Sequence, residues 1–449
     1  MVKRLNPPLL EFGNGRRFTD PIEAFARVGC GPYRVPGKLS EGVEIIPVAP
    51  AQSSLCKWLL YLLKELVRGV PGTKWPRNRY SGFRQAFGVK PTLGTTIEYA
   101  SYDDVKGVVE DVSRTKDLDK VIIAVAVPEH TTGCGEYQSL KIHAIDRAVR
   151  TQFLTGPALQ KFFSAQPDDR GQFIWNVALA IASKLEVRPW KLLTPLEGIR
   201  CVIGLNTVTA RVQDKYQKVG VTALQVWNDW GDCTGSFYAK HNNLTYVRGR
   251  LQGISDGDIT EILRPALSEH VERPATGNTT SGRDDEIIFH TTDIYANDVY
   301  DAIEECLDQA GIVNWKIVRI RQQSIQLQYD PSADKASSKW PWAGTWDYIV
   351  PNRRAYLYTA GAWKYYTTAP YVISAHLITP LEAILVRGSN GTTLEEYDLR
   401  HIYELTRLAY YTGDIPRVKE PITTKLGRRG ASLVMCGLNK YYLPISYLY

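Results

Sequence analysis

The run KVIIAVAV, residues 120–127, is apolar after its lysine and reads as a β-strand, and the segment beyond it narrows the folds open to this chain. A turn-rich loop, PEHTTGCGE, leads into EYQSLKIHAIDRAVR, whose apolar spacing predicts an amphipathic helix. Tyr137 and Lys141 stand four apart in that helix, so a phenol and an ammonium project from one face, one turn apart. The amino end of a helix after such a loop suits a phosphate, through its free amides and its dipole. With Gln152 and Lys184 farther along, these residues read as a pocket for a terminal phosphate. The loop lacks the spacing of a Gly-rich nucleotide fingerprint.

The alternation extends to both sides. A helix from Ser53 (SSLCKWLLYLLKELVRGV) and the segment KWPRNRYSGFRQAFGVK precede the strand. After the Tyr137 helix come a short strand, QFL, and a helix, GQFIWNVALAIASKL. Strands alternating with helices predict a parallel-sheet unit, closing near Arg188-Pro189-Trp190. Beyond Trp190, three strand-like runs stand close together: CVIGLNTV, KVGVTALQVW and GSFYAKH. Next come a helix from about Asp256, a strand EIIFHTT, a helix from Asn297 and a strand VNWKIVRIR. Antiparallel strands first, then alternating helices and strands, is the order of an RNase H-like domain. A long helix over about 393–411 and the apolar, aromatic tail YYLPISYLY complete the second unit. The first forty residues, rich in Gly, Pro and Arg, read as an arm with a small core contribution. The expected fold class is α/β, a Rossmann-like unit followed by an RNase H-like unit.

At 449 residues, with 44% apolar and 22% charged residues, the chain has material for two or more soluble domains. A formal charge of +7 favours an anionic partner without naming one. Seven scattered cysteines, with no CxxC pair and no His at metal-ligand spacing, point to a reducing compartment. The start has no apolar leader, and the longest apolar stretch, WLLYLL, is too short to span a bilayer. A cytoplasmic protein without membrane insertion is expected.

A phosphate pocket in a Rossmann-like unit, followed by an RNase H-like unit in a chain of this length, resembles a short prokaryotic Argonaute of the Piwi-like kind. Such proteins consist of MID and PIWI domains. The resemblance implies an arm over residues 1–38 packing on PIWI, a MID domain over 39–190 and a PIWI domain over 191–449. In the family, a Tyr and a Lys four apart on one helix, a Gln farther on and a Lys on the next helix hold the guide's 5′ phosphate. Tyr137, Lys141, Gln152 and Lys184 stand in that order here, Lys184 within SKLEVRPW. The resemblance also implies Mg2+ at the guide's 5′ end, held by the C-terminal carboxylate, here that of Tyr449, and by Gln152.

PIWI nucleases cut with acidic residues that hold two divalent ions. The first should close a strand in a Gly-x-Asp pattern, where this chain has Gly204-Leu205-Asn206. The second falls at His290, Thr291 and Thr292, and the third at Gly427 or a neighbour. Asn206, Thr291 and Gly427 cannot supply bridging carboxylates, and Asp293 and Asp298 nearby do not replace the missing first acid. The resemblance thus implies a catalytically inactive PIWI.

What remains is a binder that grips duplex backbone with cations, base pairing reading the sequence. Arg77 and Arg79 in KWPRNRYSGFR, Arg319 and Arg321 in KIVRIRQQ, Arg353 and Arg354, and Arg428 and Arg429 in KLGRRG are the candidates, with Lys74, Arg84, Lys316 and Lys425 beside them. Trp75 and Tyr80 could stack on a base. A terminal phosphate is common to RNA and DNA, so the type of guide and target stays open, an RNA guide and a DNA target being preferred. The resemblance implies a separate protein, carrying an APAZ region or an effector, that acts in defence against phages or plasmids. An active RNase H-like nuclease and a small-nucleotide binding module are the alternatives.

Overall fold

A computed structural model describes residues 3–71, 79–128, 134–211, 218–270, 286–323, 343–360, 379–389, 392–410, 418–439 and 443–449. Three short strands open the chain, β1 (Lys3–Arg4), β2 (Leu10–Glu11) and β3 (Arg17–Phe18). The first α/β unit continues with β4 (Val43–Pro50), α1 (Ser54–Arg68), α2 (Phe83–Phe87), β5 (Pro91–Leu93), β6 (Ile97–Tyr99) and α3 (Tyr102–Thr115). It ends with β7 (Val121–Val127), α4 (Glu136–Asp146), β8 (Thr151–Thr155), α5 (Gly156–Ser164) and α6 (Pro167–Lys184).

Its sheet runs β5-β4-β7-β8, with β6 also paired to β4, and every pair is parallel. Parallel sheets are covered on both faces, which is why β7 is apolar at every position. Val121, Ile123, Val125 and Val127 pack with Val105, Val109, Leu140 and Ala144 of α3 and α4. Ile122, Ala124 and Ala126 turn the other way, into a core shared with α1, α5 and α6. Ser53 starts α1 by accepting the Leu55 amide at 3.1 Å.

After β9 (Lys191–Leu192), the second unit begins with the long antiparallel strands β10 (Ile199–Arg211), β11 (Lys218–Asn228) and β12 (Cys233–Val247), then β13 (Arg250–Gln252). Then come α7 (Asp256–His270), β14 (Glu286–Thr291), α8 (Asn297–Gln309), β15 (Trp315–Gln322), β16 (Thr345–Val350), β17 (Arg354–Leu357) and β18 (Leu381–Gly388). Helices α9 (Glu396–Thr406) and α10 (Ile422–Met435) come last. The ten strands are ordered β1-β16-β17-β18-β15-β14-β10-β11-β12-β13, with β10, β14 and β15 mutually parallel at the centre. Helices α7 and α8 cover one face, through Ile259, Leu263, Ile303 and Leu307 against Ile203 and Leu205. The opposite face receives Ile422 and Leu426 of α10 against Val202 and Ile288.

Helix α9 is shorter than the run expected over 393–411, and β16, β17 and β18 are strands that the sequence pattern does not announce. The amino-terminal segment also contributes more to the core than its composition suggests. Phe12 and Phe25 are buried, and Phe25 packs against Trp175 and Trp190 at 5.7 and 6.2 Å. β1 extends the large sheet by pairing with β16, while β2 pairs with β9. Trp190 donates its indole N–H to the Arg407 carbonyl at 2.9 Å, so one core runs through both units.

The cysteines are not all isolated: Cys134 and Cys436 form a disulfide across 302 residues of sequence. That pairing departs from the fully reduced set expected from their scatter. Among the described residues, no helix is long and apolar enough to cross a membrane.

Candidate nucleic-acid site

Four elements and the last residue converge on one cavity of about 510 Å³. Helix α4 contributes Tyr137 and Lys141, β8 contributes Thr151, Gln152 and Phe153, and α6 contributes Asn176 and Lys184. Helix α10, from the second unit, contributes Arg429 and Ser432, and Tyr449 closes the lining. The four residues picked out by their order in the sequence therefore share one site.

Gln152 and Lys184 are fixed by the fold. β8 pairs with β7 through Ala124 and Gln152, and α6 brings Lys184 back over the end of β8. Lys184 is 5% exposed, and its ammonium donates to the Thr151 carbonyl at 2.8 Å and to Gln152 Oε1 at 2.6 Å. Gln152 in turn donates Nε2 to the Phe153 carbonyl at 3.0 Å. Tyr137 sets its ring edge-on to Phe153, centroids 4.9 Å apart. The cap of α4 is Gly135, which offers no side-chain acceptor to the first amides of the helix.

Electrostatically the cavity is a concentration of positive charge. No Asp or Glu side chain lines it, whereas Lys141, Lys184 and Arg429 all do. Burial and the nearby Arg429 guanidinium push the Lys141 ammonium down to about 8. Burial, then Lys141, then Arg429 hold Lys184 well below the usual lysine range. The Tyr137 phenol is pushed up by burial, against the lowering effect of Arg429. Arg429 itself donates Nη1 to the Leu448 carbonyl at 3.0 Å. Among the described residues, no protein acceptor takes a hydrogen bond from Lys141. Such a cluster is complementary to a multiply charged anion.

Both residues that the resemblance assigns to a divalent cation, Gln152 and Tyr449, line this cavity. The oxygen of Gln152 that a metal would use already accepts from Lys184, and three cationic side chains line the cavity. No group of three or more His, Cys, Asp or Glu side chains suited to a metal occurs among the described residues.

The positions that the resemblance assigns to catalytic acids also come together. β10 and β14 pair with Leu205 opposite Thr291, which sets Asn206 and Thr291 near one end of the central strands. Asn206 is fully buried and donates Nδ2 to the Thr423 carbonyl at 3.0 Å. Gly427 lies directly above, where an added β-carbon would sit 2.9 Å from Asn206 Nδ2. His290 is buried, its imidazole pushed down to about 3 by loss of solvent, and Nδ1 lies 3.0 Å from Thr423 Oγ1.

Two carboxylates stand nearby, and both have local partners. Asp293 accepts from the Thr207 amide at 3.3 Å and from Thr292 Oγ1 at 3.2 Å, burial raising its carboxyl. Asp298 accepts its neighbour's amide, Val299 N, at 3.0 Å at the start of α8.

The candidate backbone-gripping residues divide. Arg321 and Arg354 both bind the fully buried Glu382, and Arg428 binds Glu420. Lys316 is buried between Asp398 at 3.0 Å and Glu286 at 3.1 Å, so it cannot reach a nucleic acid. Arg319 donates Nε to the Thr292 carbonyl at 3.2 Å. Arg79 and Arg353 are exposed and pair with no carboxylate among the described residues. Arg77, Lys74 and Trp75 lie outside the described residues. Tyr80 is not a stacking platform: it is 1% exposed and packs edge-on against Trp175 at 4.9 Å.

Glu382 and the place of Arg429 at the cavity carry no signal in the sequence. Both depend on contacts between segments remote in the chain.

No family model and no curated protein sequence matches the chain. Solved structures do match. The chain is similar to Clostridium butyricum Argonaute bound to a guide DNA and a 19-mer target DNA, with TM-score 0.68 and 15% identity over 100% of this chain and 55% of that one. It is similar to Kluyveromyces polysporus Argonaute with a guide RNA, with TM-score 0.62 and 11% identity over 97% of this chain and 52% of that one. The C-terminal lobe of a budding yeast Argonaute matches at TM-score 0.63 and 11% identity, over 97% of this chain and 88% of that one. The chain thus spans about half the length of the first two proteins, and its fold is Argonaute-like.

Proposed function

We propose that this chain is a guide-directed nucleic-acid binding protein whose cavity holds the 5′ phosphate of a guide strand. The observation that carries this reading is the convergence of Tyr137, Lys141, Gln152, Lys184 and Arg429 on one cavity with no side-chain carboxylate in its lining. A terminal phosphate offers two negative charges and several acceptors to that set. Without an anion, burial and mutual repulsion lower both lysines, and an arriving dianion reverses the balance by favouring their charged forms. Binding energy therefore concentrates at the strand's end. The similar Clostridium butyricum structure contains a guide DNA and a target DNA, and this supports the same class of ligand here.

In this reading the phosphate is held by Lys141, Lys184 and Arg429, and Mg2+ is not required to anchor it. The second unit recognises the guide–target duplex without cutting it, because neutral Asn206 and Thr291, with side-chain-less Gly427, occupy the positions for catalytic acids. Exposed Arg79, Arg84 and Arg353 are the candidates for gripping the duplex backbone that pair with no carboxylate among the described residues. From the sequence resemblance come a guide, RNA in preference to DNA, a target, DNA in preference to RNA, and a separate effector protein in anti-phage or anti-plasmid defence.

Sequencing the nucleic acid and proteins that co-purify with the chain tests the proposal. A population of 5′-phosphorylated strands of narrow length is the expected result; preparations free of nucleic acid that also fail to load a 5′-phosphorylated strand would count against it.

A further inference from the structure

The anion cavity has a covalent neighbour that guide anchoring does not use. Cys134 directly precedes Gly135, the cap of α4, and Cys436 caps the carboxyl end of α10. Their sulfur atoms are bonded and their Cα atoms are 4.9 Å apart, across 302 residues of sequence. Helix α4 carries Tyr137 and Lys141 into the cavity, and α10 carries Arg429 and Ser432. The bond therefore joins two walls that come from different units of the fold.

We propose that Cys134 and Cys436 are a redox modification site, a thiol pair whose oxidation staples the two walls of the anion cavity and whose reduction releases them. Formation removes two electrons and two protons from the thiols. Hydrogen peroxide accepts them and becomes two waters, or a low-molecular-weight disulfide accepts them and becomes two thiols. In the reverse direction a small thiolate attacks Cys134 Sγ, Cys436 leaves as the thiolate, and a second small thiol resolves the mixed disulfide. Access favours that order, since Cys134 is exposed and Cys436 is half-buried.

The remaining cysteines are poor competitors, Cys306 because it is buried. Cys201 and Cys233 have thiols pushed up to about 12 by burial, and burial also raises Cys30 and Cys56. A protonated thiol is a weak nucleophile. The staple also acts where the fold is under electrostatic load. Lys141 on α4, Lys184 on α6 and Arg429 on α10 repel one another, and each lowers or is lowered by a neighbour. A covalent tie opposes that repulsion and keeps the cations gathered before the anion arrives.

The consequence for strand release rests on the 5′-phosphate reading; the thiol pair itself does not. The full chain, equilibrated with glutathione disulfide or with dithiothreitol, is alkylated, digested and mapped by mass spectrometry. In parallel, amide exchange over residues 136–141 is followed without nucleic acid, and release of a 5′-phosphorylated oligonucleotide is timed. Oxidised protein should yield a linked Cys134–Cys436 peptide, slower exchange over 136–141, and release slower by roughly three- to tenfold through preorganisation. Cys436→Ser should match reduced protein under both conditions. Absence of the linked peptide in glutathione disulfide, or equal exchange in the two states, overturns the proposal. A linked peptide with slowed exchange, in a protein indifferent to the 5′ phosphate, upholds the thiol pair and contradicts the guide reading instead.

Discussion

Gly427 and Asn206 face each other so closely that a β-carbon on the glycine would lie 2.9 Å from Asn206 Nδ2. Helix α10 approaches the sheet at the place where two acidic side chains would have to converge on metal ions. Gly204 permits the same approach, since its added β-carbon would meet the Thr423 carbonyl at 2.2 Å. The helix and strand are in close contact at both glycines.

Installing an acid at Asn206 should therefore fail to create a nuclease. Asn206→Asp replaces a donor to the Thr423 carbonyl with a buried carboxylate facing that same carbonyl. Urea unfolding should show a loss of about 2–4 kcal/mol. Incubation with guide and complementary strand in magnesium or manganese should give no product cut at a fixed position.

Lys141 should separate stability from function. Its ammonium is buried near Arg429 and has no protein acceptor among the described residues, so charge there disfavours the ligand-free fold. Lys141→Met should leave thermal stability unchanged or raise it, while 5′-phosphate affinity falls roughly 10- to 100-fold with loss of one charge-assisted contact.

The same lysine sets a pH dependence. Without a ligand it titrates at about 8, and a bound phosphate raises that value. Discrimination in favour of the 5′ phosphate is thus greatest between the second phosphate ionisation, at about pH 6, and about 8, and declines as pH rises through the lysine value. Stability of the ligand-free protein moves the other way. Between about 8 and the ordinary lysine value of 10.5, the unfolded chain holds the proton that the fold has lost, so stability rises with pH across that window. Paired titrations of binding and of urea midpoint read the two opposite slopes.

Lys316 should behave as a structural cation. Removing it leaves Asp398 and Glu286 without their counter-charge, and Lys316 and Asp398 are both nearly fully buried. Lys316→Ala should cost about 3–5 kcal/mol of stability. The protein that remains folded should bind nucleic acid with unchanged affinity in a filter or polarisation assay.

The parts of the fold legible in sequence are those set by local pattern. An apolar run at residues 121–127 is enough to identify β7, and the four-residue spacing of Tyr137 and Lys141 puts both in one cavity. Gln152 and Lys184 fall into place through their order along the chain. Tyr80 and Lys316 depart from expectation, and Arg321 and Arg354 carry an ion pair the sequence does not announce, because composition cannot say whether an aromatic is buried or a cation is already paired. Their partners, Trp175, Asp398 and Glu382, come from distant segments. Arg429 joins the cavity, and Cys436 meets Cys134, only because α10 packs beside the first unit. That contact between units has no local sequence signal.

The most direct test compares binding of one oligonucleotide carrying a 5′ phosphate with the same strand carrying a 5′ hydroxyl, using the native chain and a Lys141→Ala, Lys184→Ala double variant, with and without EDTA. The native chain should prefer the phosphorylated strand by roughly 100-fold, consistent with two or more charge-assisted contacts, and should largely keep that preference in EDTA. The double variant should bind both strands equally and weakly. Equal affinity of the native chain for the two strands, or an undiminished phosphate preference in the double variant, would contradict the assignment of this cavity as the anchor for a guide's 5′ end.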